Sequence, residues 1–107
     1  MSTFDDREKG FEGKFAHDQE LEFKATARRD RLIGLWAAEK MGLEGEHRED
    51  YARAIIRSDM EHADPEDVVR KIVDDFSAAK LEIRESEVRR KMDELLAVAR
   101  EQLKSGA

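Results

Sequence analysis

The sequence predicts an all-α fold, a four-helix bundle preceded by a mobile N-terminal arm. Three observations carry that expectation. Apolar residues recur at three- and four-residue spacing in four successive stretches, the mark of helices with one buried face. The 107 residues include one proline and six glycines, with little to interrupt helices apart from the segments between those stretches. Alternation of the kind a strand needs is confined to "KLEIR", 80–84, which is too short to build a sheet.

The arm, residues 1–18, comes first. Phe4, Phe11 and Phe15 fall within about 40° of one another on a helical wheel, with Gly10 and Gly13 on the far side. The stripe is too narrow for a core and suits a partner's groove. Each glycine costs a helix about 0.8–1 kcal/mol relative to alanine, and an isolated helix of about 15 residues is already marginal in water. The arm is therefore expected to be frayed alone and helical when its phenylalanines are covered.

Residues 19–107 then form the bundle, with helices expected at about 19–41, 47–63, 65–80 and 85–104. In the first, Leu21, Ala25, Leu32, Leu35 and Trp36 share a face. Ile33, Ala37 and Met41 widen it, so "LIGLWAA" belongs at the centre. Gly42 closes this helix and "GLEGE" supplies a loop. The second turns Ala52, Ile55, Ile56, Met60 and Ala63 inward, with Tyr51 at the border. "DPED", 64–67, is a strong start signal: Asp64 as N-cap, Pro65 at the first helical position, Glu66 and Asp67 against the helix dipole. The third helix presents Val68, Val69, Ile72, Val73, Phe76 and Ala79. The fourth presents Val88, Met92, Leu95, Leu96, Ala99 and Leu103, and Arg84 stands where a better N-cap is expected. Short connections favour antiparallel neighbours.

Composition limits function. The chain is 43% charged and 39% hydrophobic, with a formal net charge of −6, a balance that argues against nucleic-acid partners. No stretch is apolar enough for a membrane span, and the acidic first 25 residues resemble neither a signal nor a transit peptide. A cytoplasmic protein, monomeric when free, is expected. The absence of cysteine excludes disulfides, thiol nucleophiles and thiolate metal sites.

Catalytic and metal constellations fail on inspection. His17, His47 and His62 lack the i,i+4 partners of a helical metal site and read as surface residues. "GFEGK", 10–14, lacks the spacing and the hydroxyl residue of a phosphate loop. Asp5-Asp6 and Asp74-Asp75 diverge around a helix instead of converging in a cleft. The basic cluster "ARRDR", 27–31, followed by Trp36, offers one candidate anion site formed by Arg28, Arg29 and Trp36. No enzymatic activity and no required cofactor or metal are expected.

"TFDDREKGFEGKFAHDQELEFKATARRDRLIGLWAAEKMG", with "DYARAIIRSDME" and "DPEDVVRKIVDDF", resembles the zeta subunit family of alphaproteobacterial F-type ATP synthases over essentially the whole chain. The resemblance implies a four-helix bundle that inhibits ATP hydrolysis by the F1 motor. It implies that a mobile N-terminal segment enters an interface between alpha and beta subunits, becomes helical there and stops rotation of gamma. Carried onto this sequence, that segment is 2–18, anchored by Phe4, Phe11 and Phe15. Asp5, Asp6, Arg7, Glu8, Lys9, Glu12 and Lys14 would supply charge pairs to the partner. Localisation would then be cytoplasmic, peripheral to the inner membrane through F1. The family also includes members described as binding ADP or ATP. The alternative reading is therefore a nucleotide-responsive helical adaptor with its site on the bundle, near Arg28, Arg29 and Trp36.

Overall fold

The computed structural model describes the backbone of residues 3–62 and 64–106 and the side chains of 19–62 and 64–106. The side chains expected to form the arm, Phe4, Phe11 and Phe15 among them, lie outside the described residues, as does Ala63. Four helices follow in order, α1 (Thr3–Lys40), α2 (Glu46–His62), α3 (Pro65–Ala78) and α4 (Glu85–Lys104). No strand occurs among the described residues. α1 packs against both α2 and α4, and α3 closes the opposite side against the same two helices.

The ends of the helices follow local chemistry. At the end of α1, Leu43 N–H donates to the Ala38 carbonyl and Gly42 adopts φ 78°, a left-handed stop that glycine takes without steric cost. Asp64 caps α3, its Oδ1 accepting from Glu66 N–H at 3.0 Å, and Pro65 opens the first turn. The same helix ends with Leu81 N–H bonded to the Phe76 carbonyl, which places Lys80, a non-glycine residue, at φ 62°. α4 starts at Arg84 with no side-chain cap, as its sequence foretold.

One continuous core joins Ile33 and Ala37 of α1, Ile55 of α2, Val68, Val69, Ile72 and Phe76 of α3, and Val88 and Met92 of α4. Trp36 lies edge-on to Phe76, ring centroids 5.7 Å apart at 69°. Leu81 and Ile83, from the "KLEIR" segment, pack against this core from the loop between α3 and α4. Tyr51 Oη donates to Asp75 Oδ2 at 2.7 Å and ties α2 to α3.

α1 differs from the sequence expectation in which face it buries. Its buried stripe is Ala25, Arg29, Asp30, Ile33, Gly34, Ala37 and Ala38, whereas Leu21, Leu32, Leu35 and Trp36 are half-buried. The cause is close approach. A Cβ placed on Gly34 would sit 2.7 Å from the Ala52 Cα and 3.3 Å from its Cβ. The two backbones meet there, and only small residues fit. Gly34→Ala should therefore push α1 and α2 apart. Overpacking costs about 1–3 kcal/mol, offset by about 1 kcal/mol of helix propensity. A net loss of about 1 kcal/mol in urea denaturation is expected, and a midpoint equal to or above the parent's would contradict the close crossing.

Met60 is a second correction. Placed on the inward face of α2 by its spacing, it is instead 74% exposed. The α1 residues lining the same groove include Arg29 and Asp30, so no continuous apolar layer is available for it to join. Ala79, also expected inside, is exposed as the C-cap of α3.

Candidate functional site

Among the described side chains, the three residues expected to form an anion site separate into different surroundings. Arg28 Nη1 reaches Gln102 Oε1 of α4 at 3.4 Å. Arg29 is buried and turned to its neighbour Asp30, with Nη2 at 3.0 Å and Nε at 3.3 Å from the same carboxylate oxygen. Trp36 packs on Phe76 and borders a shallow depression with Lys40, Glu87, Arg90, Lys91 and Glu94. Arg29 lines a different groove.

That groove holds the most unusual chemistry of the described residues. Asp30 is 1% exposed, and Asp59 of α2 lines the same groove across the α1–α2 seam. Burial and a neighbouring carboxyl both disfavour the ionised form of Asp30. Burial raises the Asp30 pKa most, the neighbouring Asp59 carboxyl raises it further, and Arg29 opposes both; the result is pushed up to about 8.

Above this pair the groove is walled mainly by apolar groups, Phe23, Ala27, Ile56, Met60 and Pro65, with Glu22 at its edge. Phe23 and Met60 are 69% and 74% exposed. Glu22 is held by Arg100 of α4, whose guanidinium lowers the carboxyl pKa. Neither Asp30 nor Asp59 was singled out from sequence. The signal was present in the period: positions 25, 29, 33 and 37 form one row of a helix, which carries Arg29 and its neighbour Asp30 inward with Ala25, Ile33 and Ala37.

His47 and His62 are exposed, and His62 Nδ1–H donates to the Ser58 carbonyl at 2.9 Å. The described residues contain no grouping of three or more His, Cys, Asp or Glu suited to a metal ion. No described helix is long and apolar enough to cross a membrane.

The sequence model of the ATPase inhibitor subunit zeta family matches residues 1–102. The chain belongs to that family. Comparison with curated proteins returns no match. Among solved structures, a protein determined by solution NMR is similar, with 41% identity and a TM-score of 0.70, over 81% of this chain and 99% of that one. Membership in an ATPase inhibitor family makes an ATP synthase or ATPase the partner class and a regulatory, non-catalytic role the expected one. The match begins at the first residue, so it takes in the Phe4–Phe11–Phe15 stripe as well as the helical domain that packs around Phe76.

Proposed function

We propose that this chain inhibits ATP hydrolysis by an F1-type ATPase, with residues 2–18 entering an interface between alpha and beta subunits and blocking rotation of gamma. The observation that carries this reading is the family match over residues 1–102, which includes the aromatic segment. The physics is consistent with a wedge. Burying three phenylalanines contributes about 1.5–3 kcal/mol each. Ordering a segment on binding costs about 2–5 kcal/mol or more, and association adds its own cost. Aromatic burial alone is insufficient for tight binding. Pairs from Asp5, Asp6, Arg7, Glu8, Lys9, Glu12 and Lys14 supply register and the remaining affinity. The helical domain stays outside as a bulky stop behind the arm.

The test is ATP hydrolysis by purified F1 from the source organism, titrated with the full chain and with Phe11→Ala. The full chain is expected to inhibit. The variant is expected to need about ten- to a hundredfold more protein, the equivalent of one buried phenylalanine. Equal potency of the two proteins would remove the stripe from the mechanism.

A further inference from the structure

We propose that Glu22 of α1 and Arg100 of α4 form a clamp that holds the root of the arm helical and fixes where it leaves the bundle. The two residues would then position the inhibitory segment without touching the ATPase. The inference rests on the inhibitor reading above but names residues outside segment 2–18.

α1 runs without a break from Thr3 to Lys40, so the arm and the bundle share one helix. The core does not reach their junction. Among the described side chains of α1, the first buried one is Ala25; from Gln19 to Lys24 all are exposed except the half-buried Leu21. Apolar packing contributes little to these residues, and polar contacts hold them instead. Glu20 and Lys24 pair along the helix at 3.2 Å, with the acid N-terminal to the base, the better order. Glu22 is gripped from outside. Arg100 Nε donates to its Oε2 at 3.2 Å and Nη2 donates to its Oε1. This two-point fork fixes direction as well as distance.

The α4 side of the clamp is firmly seated. Ala99, beside Arg100, is fully buried, and Ser105 Oγ donates to the Gln102 carbonyl at 3.0 Å where the helix ends. Arg28 Nη1 also reaches across from α1 to Gln102 Oε1 at 3.4 Å. The end of α4 is thus tied to the segment of α1 that carries the arm.

Helix formation needs a costly nucleus, whereas a residue added to an existing helix costs far less. Held helical at Glu22, α1 gives residues 2–18 such a nucleus, and a segment carrying Gly10 and Gly13 depends on one. Without the clamp the helix frays back toward Ala25 and the arm must nucleate on its partner. Pre-ordering raises affinity without adding a contact. Both side chains of the pair are about half exposed, so it adds little to the stability of the bundle itself.

The test is a charge-reversal cycle of Glu22→Arg, Arg100→Glu and the two together in the full chain. Inhibition of ATP hydrolysis by purified F1 is one readout, and amide hydrogen exchange of residues 22–26 in the free chain is the other. Each single reversal sets like charges face to face. It is expected to raise the concentration for half inhibition about fivefold and to speed exchange of those amides by a similar factor, with the urea midpoint close to wild type. The double variant restores the pair with reversed polarity and is expected to return to within about twofold of wild type in both readouts. Single variants that inhibit and exchange like wild type would overturn the clamp. A double variant as impaired as its two singles combined would mean that these residues meet the ATPase directly, which also overturns it. Faster exchange with unchanged inhibition would overturn the positioning role and leave the arm mechanism standing. A wild-type chain that does not inhibit would overturn the inhibitor reading, and the positioning role with it.

Discussion

Asp30→Asn is expected to make the protein more stable than wild type at pH 8 and to remove a decline in stability between about pH 4 and pH 8. Asparagine reproduces the protonated acid in place. Its oxygen can accept from Arg29, as the Asp30 Oδ1 does at 3.0 Å and 3.3 Å. Wild type must hold a proton there to present the same neutral group. The folded pKa of Asp30 is raised from 3.8 to about 8, so the folded state binds more protons than the unfolded chain throughout that window. Stability from this group is fully present below the unfolded pKa, falls as pH rises, and is gone once pH has passed through the folded value.

The linkage limit for one proton is about 1.4 kcal/mol per pH unit. Asp59 is only half-buried, so solvent screens its effect on Asp30, and a relative gain of about 2–4 kcal/mol is expected for the variant between pH 5 and pH 8. Glu22 and Glu49 act in the opposite sense. Their pKa values are lowered by bonds from Arg100 and Arg31, so their contribution is lost as pH falls through the folded values. The difference between variant and wild type, followed by urea denaturation at several pH values, isolates Asp30. Parallel stability–pH curves would show that folding does not raise the Asp30 pKa.

The all-α class and its four helices were legible because their signals are local. Asp64 and Pro65 cap and open α3 through interactions within three residues, and the one-sided rows of α3 and α4 each face a single core. α1 was harder to read. It packs on α2 and α4 at once, which removes the polar face that would make its period plain. The tight crossing at Gly34 selects small residues, so its most buried positions are Ala25, Ala37 and Ala38 as well as Ile33, while Leu21, Leu32 and Leu35 fill the flanks. The carboxyl pair was missed for a related reason. Asp30 and Asp59 are 29 residues apart in sequence, and nothing local to either says that helix packing will bring them together. Met60 went wrong as a consequence, since its apolar spacing was read without the polar residues opposite. Hydrophobic period finds faces; it does not find which faces meet over a buried charge.

Phe76→Ala is expected to bring the helical domain to the edge of unfolding. Phe76 is 1% exposed and is the largest fully buried side chain described. It is the point where α3 meets Trp36 of α1, ring against ring edge at 5.7 Å. Its carbonyl also accepts from Leu81 N–H, so the same residue anchors the turn that carries the chain toward α4. Truncation removes the ring's transfer free energy, leaves a cavity and deletes the aromatic pair, a combined cost of about 3–5 kcal/mol. Domains of this size have about 5–15 kcal/mol in total. A melting temperature lower by on the order of 15–30 °C is expected. Phe76→Leu separates the terms, because it keeps most of the volume and loses only the ring pair; about 1–1.5 kcal/mol is expected from that change. Trp36 is the only tryptophan, so its fluorescence reports the loss directly. A Phe76→Ala protein melting within a few degrees of wild type would mean that α3 is held by Val68, Val69 and Ile72 alone. The Tyr51–Asp75 bond between α2 and α3 would then be the cross-helix tie to test next.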